Sequence, residues 1–386
     1  MNTPVDTHKV ILPGATLGVL GGGQLGRMFA HAAQAMGYFT AVLDQDATSP
    51  AGLVSHHHVR TGYEDPQGLT ELAQLCAAVT TEFENVNADA MRQLAAHTVV
   101  SPSGDCVAIA QNRIHEKAWI RKAGLQTAPY QVIEQATDII DASAEFLPGI
   151  LKTATMGYDG KGQIRVKTVA ELQAAFAEHN GVACVLEKMV DLRAEISVIV
   201  CRLNNDQAVC FDPAENQHID GILAYSIVPA RLPQALQQQA QTMAKRLADE
   251  LDYVGVLAVE MFVTGNEQVL VVNEMAPRPH NSGHHTLDAC ITDQFQQQVR
   301  LMCGLTPGNT TLLAPCTMAN ILGDVWGEDG SEPNWLNLQQ QASSHLHLYG
   351  KKSARTGRKM GHFTTLADSA EQALQAAQTL HASLKI

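Results

Sequence analysis

Two apolar runs near the middle of the chain each carry one carboxylate, and no other feature constrains the fold as much. Residues 255–263 read Gly-Val-Leu-Ala-Val-Glu-Met-Phe-Val, and residues 269–274 read Val-Leu-Val-Val-Asn-Glu. The polar segment between them predicts a hairpin. Glu260 and Glu274 should then lie opposite each other or one diagonal step apart, with roughly 5 to 8 Å between their Cβ atoms.

Carboxylates inside apolar strands repel each other and lose hydration unless they share a cation. Magnesium is usually held by one or two carboxylates together with substrate phosphates, so Glu260 and Glu274 predict a metal–nucleotide site. Asn273 adds a neutral oxygen ligand beside them. The alternative is that each glutamate faces solvent from its strand.

The composition describes a globular enzyme with small-molecule partners. The chain has 386 residues, of which 45% are hydrophobic and 17% charged, which suggests two or three domains. A formal net charge of −13 opposes binding to nucleic acid or to an anionic membrane. There is no leader pattern and no apolar run of about 18 residues, so we expect a cytoplasmic protein. The eight cysteines form no C-x-x-C pair and predict buried free thiols.

The order of helix and strand patterns predicts three domains and a mixed α/β and α+β fold. Residues 1–109 alternate short strands with helices, as in a doubly wound, Rossmann-like parallel sheet. Residues 110–190 combine a linker helix with short strands and form a compact lid. Residues 191–386 contain longer strands with packed helices, including a predicted strand over 207–213 and a predicted helix over 285–303.

The first glycine-rich segment has the spacing of a dinucleotide fingerprint. Gly21, Gly23 and Gly26 follow a short strand, and Asp44 stands where a ribose-binding acid is expected, about 20 residues on. A nicotinamide-dependent dehydrogenase is therefore one alternative. The motif is weak by itself, because glycines also serve any tight strand-to-helix turn whose amides approach an anion.

A second glycine-rich segment covers residues 157–163, Gly-Tyr-Asp-Gly-Lys-Gly-Gln, between two predicted strands. Glycines allow such a loop to close over phosphates with its backbone amides, while Lys152 supplies a point charge from the preceding strand. The alternative is a hairpin turn with incidental lysines. Residues 187–190 then end a strand and offer backbone hydrogen bonds and an apolar wall to an adenine, with Glu195 available for ribose hydroxyls.

Five cations lie close together between Lys351 and Lys359 in an otherwise acidic chain. Such a run is usually a solvated loop. Here the glycines at 357 and 361 and the overall negative charge favour a site for a substrate phosphate.

Several of these motifs occur together in the order found in one family. The sequence resembles 5-(carboxyamino)imidazole ribonucleotide synthase, an ATP-grasp carboxylase of purine biosynthesis, over nearly the whole chain. The matching segments are 21–28, 81–86, 157–163, 217–222, 273–274 and 278–284. Where relatives usually carry an arginine and a glycine in the lid loop, this chain has Ala154 and Met156.

The resemblance implies an ATP-grasp fold with an N-terminal pre-ATP-grasp domain, a small lid and a large C-terminal domain, with ATP between the last two. It implies ATP- and bicarbonate-dependent carboxylation of 5-aminoimidazole ribonucleotide, with Mg²⁺ as cofactor, and a homodimer. Phosphoryl transfer to bicarbonate would give carboxyphosphate, which carboxylates the substrate amine.

The resemblance also assigns residues. The magnesium ligands are Glu260 and Glu274, and the catalytic residues are Lys152, Arg278, Tyr158 and Asp159. The ATP contacts are Arg113, Lys152, Gly157, Tyr158, Asp159, Gly160, Lys161, Gly162, Gln163, Glu187, Lys188, Met189, Val190, Glu195, His218, Asn273 and Glu274. The ribonucleotide contacts are Gln24, Leu25, Tyr158, Asp159, Arg278, His280, Asn281, Ser282, Lys351, Arg358 and Lys359.

Two further alternatives to this function stand beside the dehydrogenase. A formate-dependent glycinamide ribonucleotide transformylase has a similar domain order, but the segments 24–28 and 158–160 disfavour it. A catalytically silent nucleotide-binding module is disfavoured because Glu260, Glu274 and Lys152 are intact.

Overall fold

The N-terminal domain is a parallel sheet covered by helices on both faces. In the computed structural model, which describes residues 10–157, 162–327 and 329–385, its strand order is β3-β2-β1-β4-β5 and every pairing is parallel. Leu17 and Val19 of β1 enter one core and Leu20 enters another, so both faces are buried. The elements are β1 (Thr16–Leu20), α1 (Gln24–Ala35), β2 (Phe39–Leu43), β3 (His57–Val59), α2 (Pro66–Leu75), β4 (Ala78–Thr81), α3 (Ala88–Ala95), β5 (Val99–Val100) and α4 (Gly104–Ala110).

The lid is a small antiparallel sheet that follows a linking helix. Its strand order is β6-β9-β7-β8, and Leu151, Leu172 and Leu186 form part of its own core. The glycine loop connects β7 to β8, and Tyr158, Asp159, Gly160 and Lys161 lie outside the described residues. The elements are α5 (Arg113–Lys122), β6 (Tyr130–Ile133), β7 (Gly149–Thr153), β8 (Gln163–Val166), α6 (Val169–Glu178) and β9 (Cys184–Lys188).

The C-terminal domain contains a nine-stranded sheet of order β15-β14-β10-β12-β13-β16-β18-β17, with β11 paired to β10. The carboxylate-bearing strands thus lie at one end of this order and the last two strands at the other. The elements are β10 (Leu192–Asn204), β11 (Gln207–Cys210), β12 (Ala214–Ile219), β13 (Ile222–Val228), α7 (Gln234–Glu250), β14 (Gly255–Thr264), β15 (Val269–Ala276), α8 (Thr286–Ala289), α9 (Gln294–Met302), β16 (Cys316–Leu322), α10 (Trp335–Gln339), β17 (Ser344–Leu348), β18 (Lys359–Leu366) and α11 (Ala370–Leu384).

The predicted fold class is confirmed, but two predicted elements were wrong. The single helix over 285–303 is two helices, because Asp293 caps α9 by accepting hydrogen bonds from the amides of Phe295 and Gln296 at 2.7 and 2.9 Å. The strand over 207–213 ends at Cys210, and β12 follows after Pro213. The mostly polar sequence of β12 hides it from a search for apolar runs.

Two other sequence predictions concern the cysteines and membrane-spanning segments. All eight cysteines are free, and six of them are buried, as predicted. Within the described residues, no helix combines the length and the apolar character needed to cross a bilayer.

Candidate active site

The paired glutamates lie directly opposite each other across β14 and β15. Glu260 pairs with Glu274, whereas Met261 pairs with Val272, so Asn273 is the extra residue of a β-bulge. The predicted hairpin is therefore confirmed. Bulges are frequent beside active sites because they redirect side chains. The Asn273 Oδ1 atom is buried and has no hydrogen-bond partner among the described residues.

Each of the two carboxylates has a cationic or hydrogen-bonding neighbour. Arg113 Nη1 donates to Glu274 Oε2 at 2.9 Å, and His280 Nε2 lies 3.0 Å from Glu260 Oε1. Burial acts to raise the pKa of Glu274, but the charges of Arg113 and Lys152 outweigh it and hold the pKa below its ordinary value. Glu274 is therefore a carboxylate anion at neutral pH.

A buried cluster of two lysines and one glutamate lies next to this pair. Lys152 of β7 and Lys117 of α5 contact opposite oxygens of Glu187, both at 2.9 Å, and all three side chains are at most 6% exposed. Burial acts to raise the pKa of Glu187, but the two ammonium groups hold it at about 2. The cluster carries one net positive charge in a desolvated position, which favours an anionic ligand.

Glu116 of α5 is a second buried acid that we did not predict as a site residue. Its Oε1 accepts a hydrogen bond of 2.6 Å from the amide of Met275, which follows Glu274 on β15. Burial and the Glu274 charge raise the pKa of Glu116 to about 8, although Arg113 and Lys117 oppose the shift. The spacing of Arg113, Glu116 and Lys117 at i, i+3 and i+4 places them on one helix face. This spacing is the feature of the sequence that could have identified Glu116 as a site residue.

Glu195 and His218 form an ion pair on adjacent strands. His218 Nδ1 lies 2.9 Å from Glu195 Oε2, and the two side chains are 26% and 30% exposed. Burial acts to lower the pKa of His218, but the Glu195 carboxylate outweighs it and the pKa is raised.

Residues 278–282 join the sheet to the N-terminal domain. Both Nε and Nη2 of Arg278 donate to one oxygen of Glu84, at 2.8 and 2.6 Å. Asn281 exchanges side-chain amide hydrogen bonds of 3.0 and 2.7 Å with Asn320. Ser282 is fully buried.

A directed chain of hydrogen bonds ends on Glu260. Asn216 Nδ2 donates to Ser197 Oγ at 3.0 Å, and Ser197 Oγ donates to Ser282 Oγ at 2.7 Å. The Ser282 hydroxyl is then left to donate to His280 Nδ1, 2.8 Å away. The Ser282 amide also donates to this nitrogen, so the ring proton is on Nε2 and is donated to Glu260.

The first glycine-rich turn binds the chain's own carboxylates. The amide of Gly22 donates to Asp44 Oδ2 at 2.8 Å, and the amides of Gly23 and Gly26 donate to the two oxygens of Glu82, the latter at 2.8 Å. Glu82 therefore occupies the helix N-terminus where a dinucleotide would place its pyrophosphate. Gln24 and Leu25 begin α1 immediately beside this turn.

The cationic loop folds back on itself. Lys351 Nζ donates to the carbonyl of Lys359 at 2.7 Å, and Arg358 Nη1 donates to the carbonyl and hydroxyl of Ser353 at 2.7 and 3.0 Å. Burial and the Arg358 charge lower the pKa of Lys351 to about 8, with Glu82 opposing the shift. The loop thus faces the glycine turn of the N-terminal domain.

The remaining candidates surround the lid loop. Gly162 adopts φ +71 and Met156 adopts φ +62, a left-handed backbone that glycine adopts far more readily than methionine. Lys188 and Met189 are exposed where β9 ends, and Val190 is half-buried. Gly157 begins the loop, and Gln163 pairs with Lys152 across β7 and β8.

Comparisons with known proteins agree on one family. Residues 118–295 match the ATP-grasp domain, residues 14–111 match the ribonucleotide synthetase preATP-grasp domain, and residues 316–376 match the phosphoribosylaminoimidazole carboxylase C-terminal domain. The N5-carboxyaminoimidazole ribonucleotide synthase of Bacillus subtilis strain 168 is 43% identical, with 96% of each chain covered.

Solved structures give the same result. An N5-carboxyaminoimidazole synthetase from Staphylococcus aureus complexed with ADP is 35% identical, with a TM-score of 0.89 and coverage of 98% of this chain and 100% of that chain. An N5-carboxyaminoimidazole synthase from Aspergillus clavatus, in complex with ADP and 5-aminoimidazole ribonucleotide, is 30% identical, with a TM-score of 0.86 and coverage of 96% and 98%. On its sequence, its domains and its fold, the chain belongs to the N5-carboxyaminoimidazole ribonucleotide synthase family of ATP-grasp enzymes.

Proposed function

We propose that the residues around Glu260 and Glu274 carry out the reaction of this family. ATP, bicarbonate and 5-aminoimidazole ribonucleotide give ADP, phosphate and N5-carboxyaminoimidazole ribonucleotide, a step of purine biosynthesis. The observation that carries this proposal is the facing carboxylate pair beside the buried Lys152–Glu187–Lys117 cluster, in a chain that matches the family over its length.

ATP lies between the lid sheet and strands β14 and β15. Lys152 and Arg113 contact its phosphates, because both cations project into the region of Glu274. The glycine loop from Gly157 to Gln163 covers the phosphates, and the strand end from Glu187 to Val190 receives the adenine. Glu195 and His218 contact the nucleotide at its ribose. The complexes of the two solved relatives with ADP support the binding of an adenine nucleotide by this fold.

Glu260 and Glu274 hold Mg²⁺, with Asn273 beside them. The donor set fits this ion, because it combines two carboxylates with an amide oxygen, Asn273 Oδ1, that is buried without a partner among the described residues. When bound, Mg²⁺ neutralises charge on the transferring phosphoryl group. The chain's own part is to fix the two carboxylates, through Arg113 for Glu274 and through His280 for Glu260.

Bicarbonate is a poor electrophile until it is phosphorylated. Transfer of the γ-phosphoryl group of ATP to a bicarbonate oxygen gives carboxyphosphate and ADP, and attack by the exocyclic amine then gives the carbamate and phosphate. Lys152 and Arg278 bind the anionic oxygens during these steps. Tyr158 and Asp159 belong to the lid loop, whose closure keeps water from the labile intermediate.

The ribonucleotide lies between the N-terminal turn and the cationic loop, where the Glu82 carboxylate of the turn is close enough to act on the pKa of Lys351. Gln24 and Leu25 form its N-terminal wall, and residues 278–282, which Arg278 ties to Glu84 of the N-terminal domain, complete the site. Ser282 acts through His280, since its hydroxyl is buried and hydrogen-bonded to that ring. Lys351, Arg358 and Lys359 bind the phosphate. The complex of the Aspergillus clavatus relative with the same ribonucleotide supports this choice of substrate.

We also infer a cytoplasmic homodimer, on the strength of the family resemblance and of the biosynthetic role of the relatives. Light scattering of the purified protein during gel filtration tests the dimer, since a mass near one chain would contradict it.

Phosphate release measured in three mixtures tests the proposed reaction. Release should require ATP, bicarbonate and aminoimidazole ribonucleotide together, and should rise when bicarbonate is added to degassed buffer. Glycinamide ribonucleotide with formate should give the same background as no acceptor. Stimulation by formate would instead assign the chain to the transformylases.

A further inference from the structure

Histidines cluster on the last two strands of the C-terminal sheet, away from the carboxylate pair. β17 and β18 are antiparallel, and His347 lies directly opposite His362. Side chains directly opposite on one face have Cβ atoms about 4.5 to 5.5 Å apart. The two imidazole rings stack, with centroids 4.7 Å apart and planes 15° apart.

Asp288 of the short helix α8 reaches the same face from above the sheet. Its two carboxylate oxygens lie 2.9 and 3.0 Å from His347 Nε2, and one of them lies 4.0 Å from His345 Nδ1. One ligand atom each of Asp288, His347 and His362 lies within 4.8 Å of the others. Three potential metal ligands from three different elements therefore converge.

His362 has a ring nitrogen that the described part of the protein leaves unsatisfied. The residue is fully buried, and its Nδ1 shares a hydrogen bond of 2.9 Å with the Tyr349 hydroxyl. Its Nε2 is buried without a hydrogen-bond partner among the described residues. A buried, unpaired polar atom usually costs about 1 to 3 kcal/mol, so such an atom calls for an explanation.

We propose that Asp288, His347 and His362 form a binding site for a divalent transition-metal ion of the zinc class. Two imidazoles and one carboxylate are a donor set that zinc uses, with water in the remaining position. The Glu260–Glu274 pair offers oxygens to Mg²⁺, whereas imidazole nitrogens select a softer ion. Tetrahedral zinc ligands with bonds of about 2.0 to 2.2 Å lie about 3.3 to 3.5 Å apart, so the ligand atoms need to close by up to roughly 1.5 Å. The two stacked rings also need to turn out of parallel, because an imidazole binds a metal in the plane of its ring.

The surroundings of the three ligands support this assignment. The His347 side chain is 32% exposed, so an ion can enter from solvent, whereas the Asp288 side chain is only 8% exposed. The Tyr349 hydroxyl fixes the other nitrogen of His362, as the outer partners of metal-bound histidines commonly do.

Binding there would fasten α8 to the far edge of the sheet. α8 follows directly after the segment that carries His280 and Ser282, so the ion would stabilise the attachment of the proposed active-site segment. The expected effect is on stability, so its test does not depend on activity.

Titration of the untagged, metal-free full-length protein tests the site. Zn²⁺ is followed by calorimetry and Co²⁺ by its visible absorption, with Asp288→Asn and His347→Ala as variants. We expect one ion per chain, at least about 100-fold weaker binding in each variant, and a Zn²⁺-dependent rise in melting temperature in the unsubstituted protein alone.

His57→Ala is the matched control, because it removes an exposed histidine from the run of three at 56–58. Its affinity for Zn²⁺ should equal that of the unsubstituted protein. The proposal fails if no saturable binding occurs, if the variants bind as tightly as the unsubstituted protein, or if His57→Ala rather than His347→Ala removes the binding. If either test variant does not fold, the other variant and the melting curve decide.

Discussion

Neighbouring charge gives two buried carboxyl groups around the proposed nucleotide site different ionisation states. Glu187 has two ammonium partners and a pKa of about 2, whereas Glu116, one helical turn from Arg113, has a pKa of about 8. Both carboxyl groups are buried, so desolvation does not distinguish them. The difference comes from neighbouring charge, since Glu116 lies close to Glu274 while Glu187 lies between two cations.

Replacement of Glu274 by Gln tests the proposed metal pair at the residue scale. The change removes a negative charge that stabilises the transferring phosphoryl group, so kcat should fall by on the order of 10² or more. Steady-state kinetics at saturating Mg²⁺ measures it, with circular dichroism as the check on folding. Glu267→Gln, in the exposed hairpin loop, should turn over normally. A near-normal kcat in Glu274→Gln would contradict the assignment of Glu274 to the metal pair.

Glu116 predicts a pH dependence of stability whose sign is fixed. Its pKa rises from 4.5 to about 8 on folding. Its contribution to the free energy of unfolding is therefore fully present below pH 4.5 and is lost as the pH rises towards 8. Glu116→Gln should reduce the fall in the free energy of unfolding across this window, by on the order of a few kcal/mol. Urea unfolding at a series of pH values measures it. An unchanged pH profile, equal to that of the exposed control Glu178→Gln, would contradict the prediction.

At the scale of helices and strands, single residues determine where an element begins or ends and in which direction its side chains point. The bulge at Asn273 lies beside the facing pair of Glu260 and Glu274, and the register shifts by one residue from Met261 and Val272 towards the hairpin turn. The turn at Met156 adopts a left-handed backbone in a residue that disfavours it by roughly 1 to 2 kcal/mol. The lid loop of this chain therefore carries a local strain that a glycine at this position would relieve.

Asp293 is the residue that separates α8 from α9, and its removal should have a defined cost. Asp293→Ala takes away both hydrogen bonds to the first turn of α9, which should lower the free energy of unfolding by roughly 0.5 to 2 kcal/mol. Chemical denaturation measures this change. Asp206→Ala, in an exposed loop, should leave stability unchanged. Equal stability of the two variants would show that packing, and not the cap, fixes the start of α9.

At the scale of the whole molecule, the sequence predicted the features that depend on neighbouring residues and missed those that depend on packing. The parallel N-terminal sheet and the β14–β15 hairpin follow from local periodicity, and both are confirmed. The contacts of Lys117 with Glu187 and of His280 with Glu260 join residues of different elements. No local pattern encodes such contacts, so only the folded chain reveals them.

The distribution of charge over the whole chain leads to a test of the ribonucleotide phosphate site. The protein carries a net charge of −13, so its overall field repels a dianionic substrate, and binding depends on the local cations of the 351–359 loop. Arg358→Ala removes a donor able to make paired hydrogen bonds to phosphate. The KM for the ribonucleotide should rise about 30- to 1,000-fold, which corresponds to roughly 2 to 4 kcal/mol.

The specificity of this effect separates a phosphate contact from a change in total charge. Lys352→Ala removes the same charge from an exposed position of the same loop and should alter the ribonucleotide KM only slightly. The KM for ATP should barely change in either variant, because Lys152 and Arg113 lie in the separate cluster near Glu274. A rise in the ATP KM alone would assign Arg358 to the nucleotide, and equal small effects of the two variants would make the loop a solvated surface.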